Sequence, residues 1–279
     1  MALRENTGQA MMDCKKALIE SNGNMEDAVD ILRKKGMAII DKRAGKATSE
    51  GRVVGKIAND GKTGSLFALC SETDFTAKNE EFVAATDQIV ESLAGSNGEL
   101  RGADALGDLQ TSSGKKVSEI VNNLVSKTGE KIELGDFARF DLAGGGLLHC
   151  YIHFNNKVGA MVQLETDGDP SADELKTLGA DLTMHITACR PSALSRDDVD
   201  QALVEKERAL AAEQVKGKPE NIIDKIVDGK MNKWYAEIVL LEQAFAKDDS
   251  MQIKDVIEET GKKLGSPINL ERFARIQVG

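Results

Sequence analysis

The stretch "RVVGKIANDGKTGSLFALCSETDFTAKNEEF", Arg52 to Phe82, decides the fold. Two strand-like runs flank Asp60-Gly61, a dipeptide that suits the backbone of a tight hairpin turn. They therefore pair antiparallel. The second run, Ser65 to Leu69, gives way to a polar turn, and helical periodicity resumes from Phe82 to Leu93. A strand hairpin feeding a helix belongs to an α+β arrangement with antiparallel sheet.

Outward toward the carboxyl end, Val117 to Val125 reads as a helix. Strand-like runs then follow, broken at Gly144-Gly145-Gly146 and Asn155-Asn156, before a helix from Ala172 to about Ala188. Residues Asp197 to Met231 are mostly polar, with Val199, Leu203 and Leu210 in heptad-like spacing and Ile222, Ile223, Ile226 and Val227 beyond "KGKP" (Lys216 to Pro219). That pattern predicts two antiparallel helices joined by a Gly-Pro turn and projecting from the body. A helix near Met251 to Leu264 and a strand-like "RFARIQV" follow.

Toward the amino end, Met11, Met12, Cys14, Leu18 and Ile19 recur at helical spacing up to Asn22-Gly23. Asn24 is placed to cap a second helix, which the spacing ends at Gly36. The polar "DKRAGKATSEG", Asp41 to Gly51, reads as a linker. The expected organisation is a helical module over 1–40, a linker over 41–51, a core subdomain over 52–140 and a second over 141–279, with the helical hairpin inserted at about 197–231.

Composition narrows the function classes. A net charge of −10 opposes a general nucleic-acid or membrane-surface binder, both of which need a positive field. No apolar run approaches the roughly 18 residues of a membrane span. Cys14, Cys70, Cys150 and Cys189 are widely spaced, with no CxxC pair, which fits a reduced, cytoplasmic protein without metal or disulfide scaffolding. No cofactor is expected.

The motifs with chemical potential are weak. "DGKTG", Asp60 to Gly64, contains the GKT of a phosphate loop, but Lys56 stands where its first Gly should be and no helix follows. The triple Gly precedes a strand rather than a helix. His149 and Cys150 would point to opposite faces of one strand, so they make a poor nucleophile and base. His185 reads as a satisfied histidine within a helix. An enzyme is therefore disfavoured.

Two features stay open on pattern alone. Met11 and Met12 lie about 100° apart on a helix, so they are either core gap-fillers or an adaptable contact surface. Phe75 sits among Thr73, Asp74, Thr76 and Lys78, and is either core or an exposed anchor, with Asp74 as the default helix cap.

Two segments, "LRENTGQAMMDCKKAL" (Leu3 to Leu18) and "SETDFTAK" (Ser71 to Lys78), closely resemble the two signatures of the elongation factor Ts family. The resemblance continues through "MHITACRPSAL", "VEKE", "GKPENI", "LLEQAF" and "RFARIQVG" and so spans nearly the whole chain. Ala10, Ala68, Cys70 and Thr76 depart from the usual family residues. Relative to the family, the chain also begins about ten residues late, which implies a shortened first helix, and ends without the carboxy-terminal helical module of some members. The resemblance implies a ubiquitin-associated-like amino-terminal module, two α+β core subdomains and an inserted antiparallel coiled coil. It further implies exchange of guanine nucleotide on elongation factor Tu, with Thr73, Asp74 and Phe75 pushed into the GTPase domain and with Met11, Met12 and His153 as further contacts. A non-exchanging adaptor is the alternative function. Homodimerisation through the core or the hairpin is left open.

Overall fold

Three helices open the chain: α1 (Ala2–Thr7), α2 (Met11–Glu20) and α3 (Met25–Arg43). The structure is a computed structural model and describes residues 1–96, 100–215 and 220–279. The helices close around Leu3, Cys14, Ala17, Ala28 and Leu32. Asn24 caps α3, its side-chain oxygen accepting from the N–H of Glu26 at 2.9 Å and of Asp27 at 3.4 Å. Met11, Met12 and Ile19 stay outside this small core.

Helix α3 does not stop at Gly36 but runs on to Arg43. Gly36 is buried against Ser126, and a Cβ there would collide with the serine hydroxyl. Its role is close approach of two helices, not termination. Asp41, Lys42 and Arg43, expected in a linker, form the last turn of α3, and the next strand begins at Glu50.

Strands β1 (Glu50–Ile57) and β2 (Thr63–Ser71) form the expected hairpin, with Gly61 at φ 70° in its turn. The one-turn helix α4 (Asp74–Ala77) follows, then α5 (Glu80–Ala94), α6 (Gly102–Asp108), α7 (Val117–Thr128) and β3 (Ile132–Asp141). Strand β3 pairs antiparallel with β2, which completes a three-stranded sheet in the order β1-β2-β3. The second half contains β4 (Gly146–Ile152), β5 (Val158–Glu165), α8 (Asp173–Cys189), α9 (Gln201–Glu213), α10 (Glu220–Ile238), β6 (Ala244–Phe245), β7 (Asp248–Gln252), α11 (Ile253–Leu264) and β8 (Asn269–Gln277). Its main sheet is antiparallel with order β4-β5-β8. Helix α6 and the small β6–β7 hairpin are absent from the sequence reading, because both are too short to carry a period.

The two sheets pack face to face. Val53, Leu66 and Ala68 of the first meet Leu148, Met161 and Ile276 of the second. The opposite faces are covered by helices: Phe67 and Leu69 pack with Phe82, Ile89 and Val121, while Val162 and Leu164 pack with Leu175, Leu182 and Ile257. Strands β2 and β5 are thus buried on both faces, which is why each reads as a nearly unbroken apolar run rather than an alternating one. Gly55 and Gly64 permit the close approach: a Cβ on Gly55 would meet the Cys150 sulfur, and one on Gly64 the Met161 sulfur.

Helices α9 and α10 pack through Ala211, Val215, Val227 and Met231. The apolar seam differs from the one expected, since Leu203 and Leu210 are exposed and Val204 faces the partner helix instead. Val199 precedes α9, whose first residue is Gln201. Lys216 to Pro219, the expected turn, lies outside the described residues. At the base, the Arg196 guanidinium donates to both Glu242 oxygens, at 2.5 and 2.7 Å, and lies 4.3 Å from the Tyr235 ring centroid.

Candidate functional site

The polar turn after β2 is held more tightly than its composition suggests. The Ser71 hydroxyl donates to the Thr73 carbonyl at 3.0 Å. The Thr73 N–H and Oγ1 donate to the two oxygens of Glu130 at 3.1 and 2.8 Å, so one carboxylate grips both groups. Glu72 pairs with Arg43 at 3.0 Å and accepts from the Lys131 N–H at 2.6 Å. Thr73, not Asp74, caps α4, its oxygen accepting from the Thr76 N–H at 3.4 Å. The reason is positional: Asp74 is already the first helical residue, so its carboxylate is past the cap position.

This geometry sorts the turn by side. Thr76 and Ala77 are buried, and Ala77 joins the core with Phe82. Phe75 is 83% exposed. Asp74 points outward and pairs with Lys78 at 2.6 Å, a hydrogen bond that holds its carboxyl below the usual range. Asn79 then caps α5, accepting from the Glu81 N–H at 2.9 Å. An aromatic ring is thereby presented to solvent on a short helix whose other side is anchored.

A second exposed aromatic lies on the β4–β5 loop, on Phe154, which is 86% exposed. Its ring centroid lies 4.4 Å from that of His153 at a tilt of 52°, and His153 Nδ1 lies 3.0 Å from the Tyr151 hydroxyl. Asn156 turns the loop in the left-handed region, φ 55°, and its carbonyl accepts from the Val53 N–H at 2.7 Å. Lys157 reaches Glu50 at 2.6 Å, and Glu50 lies opposite Ser71 in the first sheet. Lys157 also adds to the field that lowers the Asp74 carboxyl. The Asp74-Phe75 turn and the His153-Phe154 loop are therefore neighbours on one face.

Met11 and Met12 begin α2 and are 61% and 59% exposed. Met11 edges a cleft of about 290 Å³ with Leu3, Leu18 and Ile19. The module carrying them docks on α7 through Gln9, whose Nε2 donates to Asn123 at 3.2 Å, and through the Gly36–Ser126 contact. Its exposed methionines lie apart from the turn and the loop in sequence, on a different element.

The thiol and imidazole at positions 150 and 149 are separated. Cys150 packs between the sheets, where burial pushes its thiol up to about 12. His149 faces α8, with Nδ1 3.0 Å from Thr183 Oγ1. His185 is buried, Nε2 2.9 Å from Gln243 Oε1, while Nδ1 accepts from the Ala246 N–H at 3.2 Å. Among the described residues, no group of three or more His, Cys, Asp or Glu could hold a metal ion, and no helix is long and apolar enough to cross a membrane.

Sequence reasoning missed Phe154 and Glu130. Phe154 stood next to a strand run and read as part of it. Glu130 follows Gly129, the left-handed cap of α7, but its target Thr73 is remote in sequence and no local pattern links them.

Comparison with known proteins adds a lineage to this geometry. The family model described as "Elongation factor TS" matches residues 72–279. The chain is 40% identical to "Elongation factor Ts" of Clostridium perfringens over 279 residues, covering 99% of this chain and 90% of that one. It is 41% identical to the protein of the same name from Magnetococcus marinus, again covering 99% and 90%. For that of Aquifex aeolicus the figures are 39% identity, 99% and 95%.

Proposed function

Since this chain belongs to the elongation factor Ts family, we propose that it promotes release of GDP from elongation factor Tu, with Phe75 as its wedge. The observation carrying this reading is the 83% exposure of a phenylalanine on a turn that Glu130 and the buried Thr76-Ala77 hold in place. A large aromatic ring held exposed on an anchored turn supports a partner-facing role. Thr73 frames the turn, and Met11, Met12 and His153 supply contacts elsewhere.

GDP is held by backbone donors, a lysine and a magnesium ion with strict octahedral demands. Entry of the phenyl ring between two helices of the GTPase domain shifts one of them, while Asp74 competes for hydrogen bonds near the ion. No covalent bond is made or broken, so the protein acts as an exchange factor and not as an enzyme. Burying one phenyl ring yields about 2–3 kcal/mol, at most two decades of nucleotide weakening. The other contacts must therefore contribute. Whatever factor weakens GDP also weakens this chain in the presence of GDP.

On this reading the amino-terminal helices through Arg43 act as a ubiquitin-associated-like docking module, 44–49 as its connection, and the two sheet-bearing halves as the core subdomains, with α9 and α10 as the coiled coil. The chain works in the cytoplasm without touching nucleic acid. The exposed Leu203, Leu210 and Ile222 favour a second role for the coiled coil in homodimerisation, to be checked by sedimentation of a triple Ser variant. The decisive measurement is stopped-flow release of a fluorescent GDP from elongation factor Tu, with and without the chain. Binding that leaves the release rate unchanged would instead mark the chain as an adaptor.

A further inference from the structure

A cleft of about 500 Å³ opens beside the β4–β5 loop, between the end of α8 and β8. Its walls include Tyr151, His153, Lys157, Arg190 and Arg275, and no acidic side chain. In a chain of net charge −10 that is unusual company. Several other arginines are paired with carboxylates, as in Arg43–Glu72, Arg196–Glu242 and Arg208–Asp228.

The two here are not. Arg190 makes no side-chain hydrogen bond or ion pair among the described residues, and its backbone is left-handed, φ 53°, as the cap of α8. Arg275 is half-buried and spends its donors on neutral oxygens, the Thr187 carbonyl at 3.4 Å and Gln277 Oε1 at 2.7 Å. Burial, and then the charge of Arg190, push the Arg275 guanidinium below its ordinary value. The exposed Arg190 and the half-buried Arg275 thus face one cleft whose walls hold no carboxylate, an arrangement that an entering oxyanion would complement with charge-assisted hydrogen bonds.

Position identifies the source of that oxyanion. The cleft shares His153 and Lys157 with the loop carrying Phe154, and Lys157 is tied through Glu50 to the strand hairpin that leads into Phe75. It is therefore continuous with the face proposed to dock on the partner. We propose that Arg190 and Arg275 form an oxyanion subsite that receives a side-chain carboxylate of docked elongation factor Tu. The inference rests on the exchange reading above.

A purely structural role is the competitor, since a cation at a helix carboxyl end complements the helix dipole. Arg190→Gly separates the two, because glycine adopts the left-handed backbone without strain. The variant should unfold at the wild-type temperature or above, yet bind elongation factor Tu about tenfold more weakly at low ionic strength. Its affinity should also depend less on salt than that of the wild type. Arg275→Lys, which keeps the charge but loses the fork, should fall between.

Wild-type affinity and salt dependence in Arg190→Gly, beside an impaired Phe75→Ala, would overturn the subsite and leave the exchange reading intact. A fall in unfolding temperature that accounts for the lost affinity would assign Arg190 to structure alone and likewise overturn it. Saturable binding of inorganic phosphate, lost in Arg190→Gly while partner affinity is unchanged, would replace the proposal with a free-anion site. If the wild-type chain fails to bind elongation factor Tu at all, both readings fall together.

Discussion

Phe75 shows water most of its ring, whereas Phe82, seven residues on, shows none. Truncating Phe82 to Ala should cost about 3–5 kcal/mol through cavity formation. Phe75→Ala should leave thermal unfolding nearly unchanged and slow GDP release sharply, and a destabilised variant whose folded fraction exchanges normally would return the residue to the core. Asp74→Ala should lose less exchange, and the double variant less than the sum, because on the proposed reading both side chains act on one region of the partner. On the proposed reading Glu130 is a positioning residue, since its carboxylate holds Thr73. Glu130→Gln keeps one acceptor but loses the charge that grips Thr73, at a cost of about 1–2 kcal/mol. It should therefore slow exchange at saturating concentration more than it weakens binding, whereas equal effects on both would count against a positioning role. The sequence left Phe75 undecided because alternation has no meaning over a four-residue helix. The resemblance, not the periodicity, singled it out.

The elements were legible wherever burial is one-sided or a cap is local. The Asp60-Gly61 hairpin, the Asn24 cap and the runs that became α5, α8 and α11 all follow from nearest-neighbour chemistry. Gly36 misled because glycine ends helices and also lets helices touch, and only the presence of Ser126 tells which. The hairpin seam misled by one position, since over so few heptads Leu203 and Val204 are equally eligible. The corrected α3 changes what a truncation should do. Ile39 and Ile40 pack against the first core, so removing 1–36 keeps that contact and removing 1–43 destroys it. The longer truncation should melt lower by roughly 4–8 °C, taking about 2 kcal/mol for two half-buried isoleucines. Equal melting temperatures for the two truncations would show that α3 contributes nothing beyond Gly36.

Across the whole molecule, the layered order helix, sheet, sheet, helix was not legible, because a strand buried on both faces announces burial but not its neighbour. The same layering sets the response to acid. Burial lowers the pKa of His149 and of His185 below the ordinary 6.5, the Gln243 hydrogen bond only partly opposing it for His185. The folded chain thus binds fewer protons than the unfolded chain below that value. Stability is full above about pH 6.5 and declines as the pH falls toward the lowered values. Unfolding temperatures measured across that window should drop on acidification, and less steeply for His185→Gln; a rise would contradict the assignment. The register of the sheets also orders events in time. Phe67 lies opposite Phe137, but Met161 must wait for Ala274. Chain synthesis delivers the first sheet whole while the second still lacks its third strand, and closing that longer loop is the slower step. On the ribosome the nascent chain would therefore carry a finished Phe75 turn, with Phe154 on a half-built sheet, until β8 emerges.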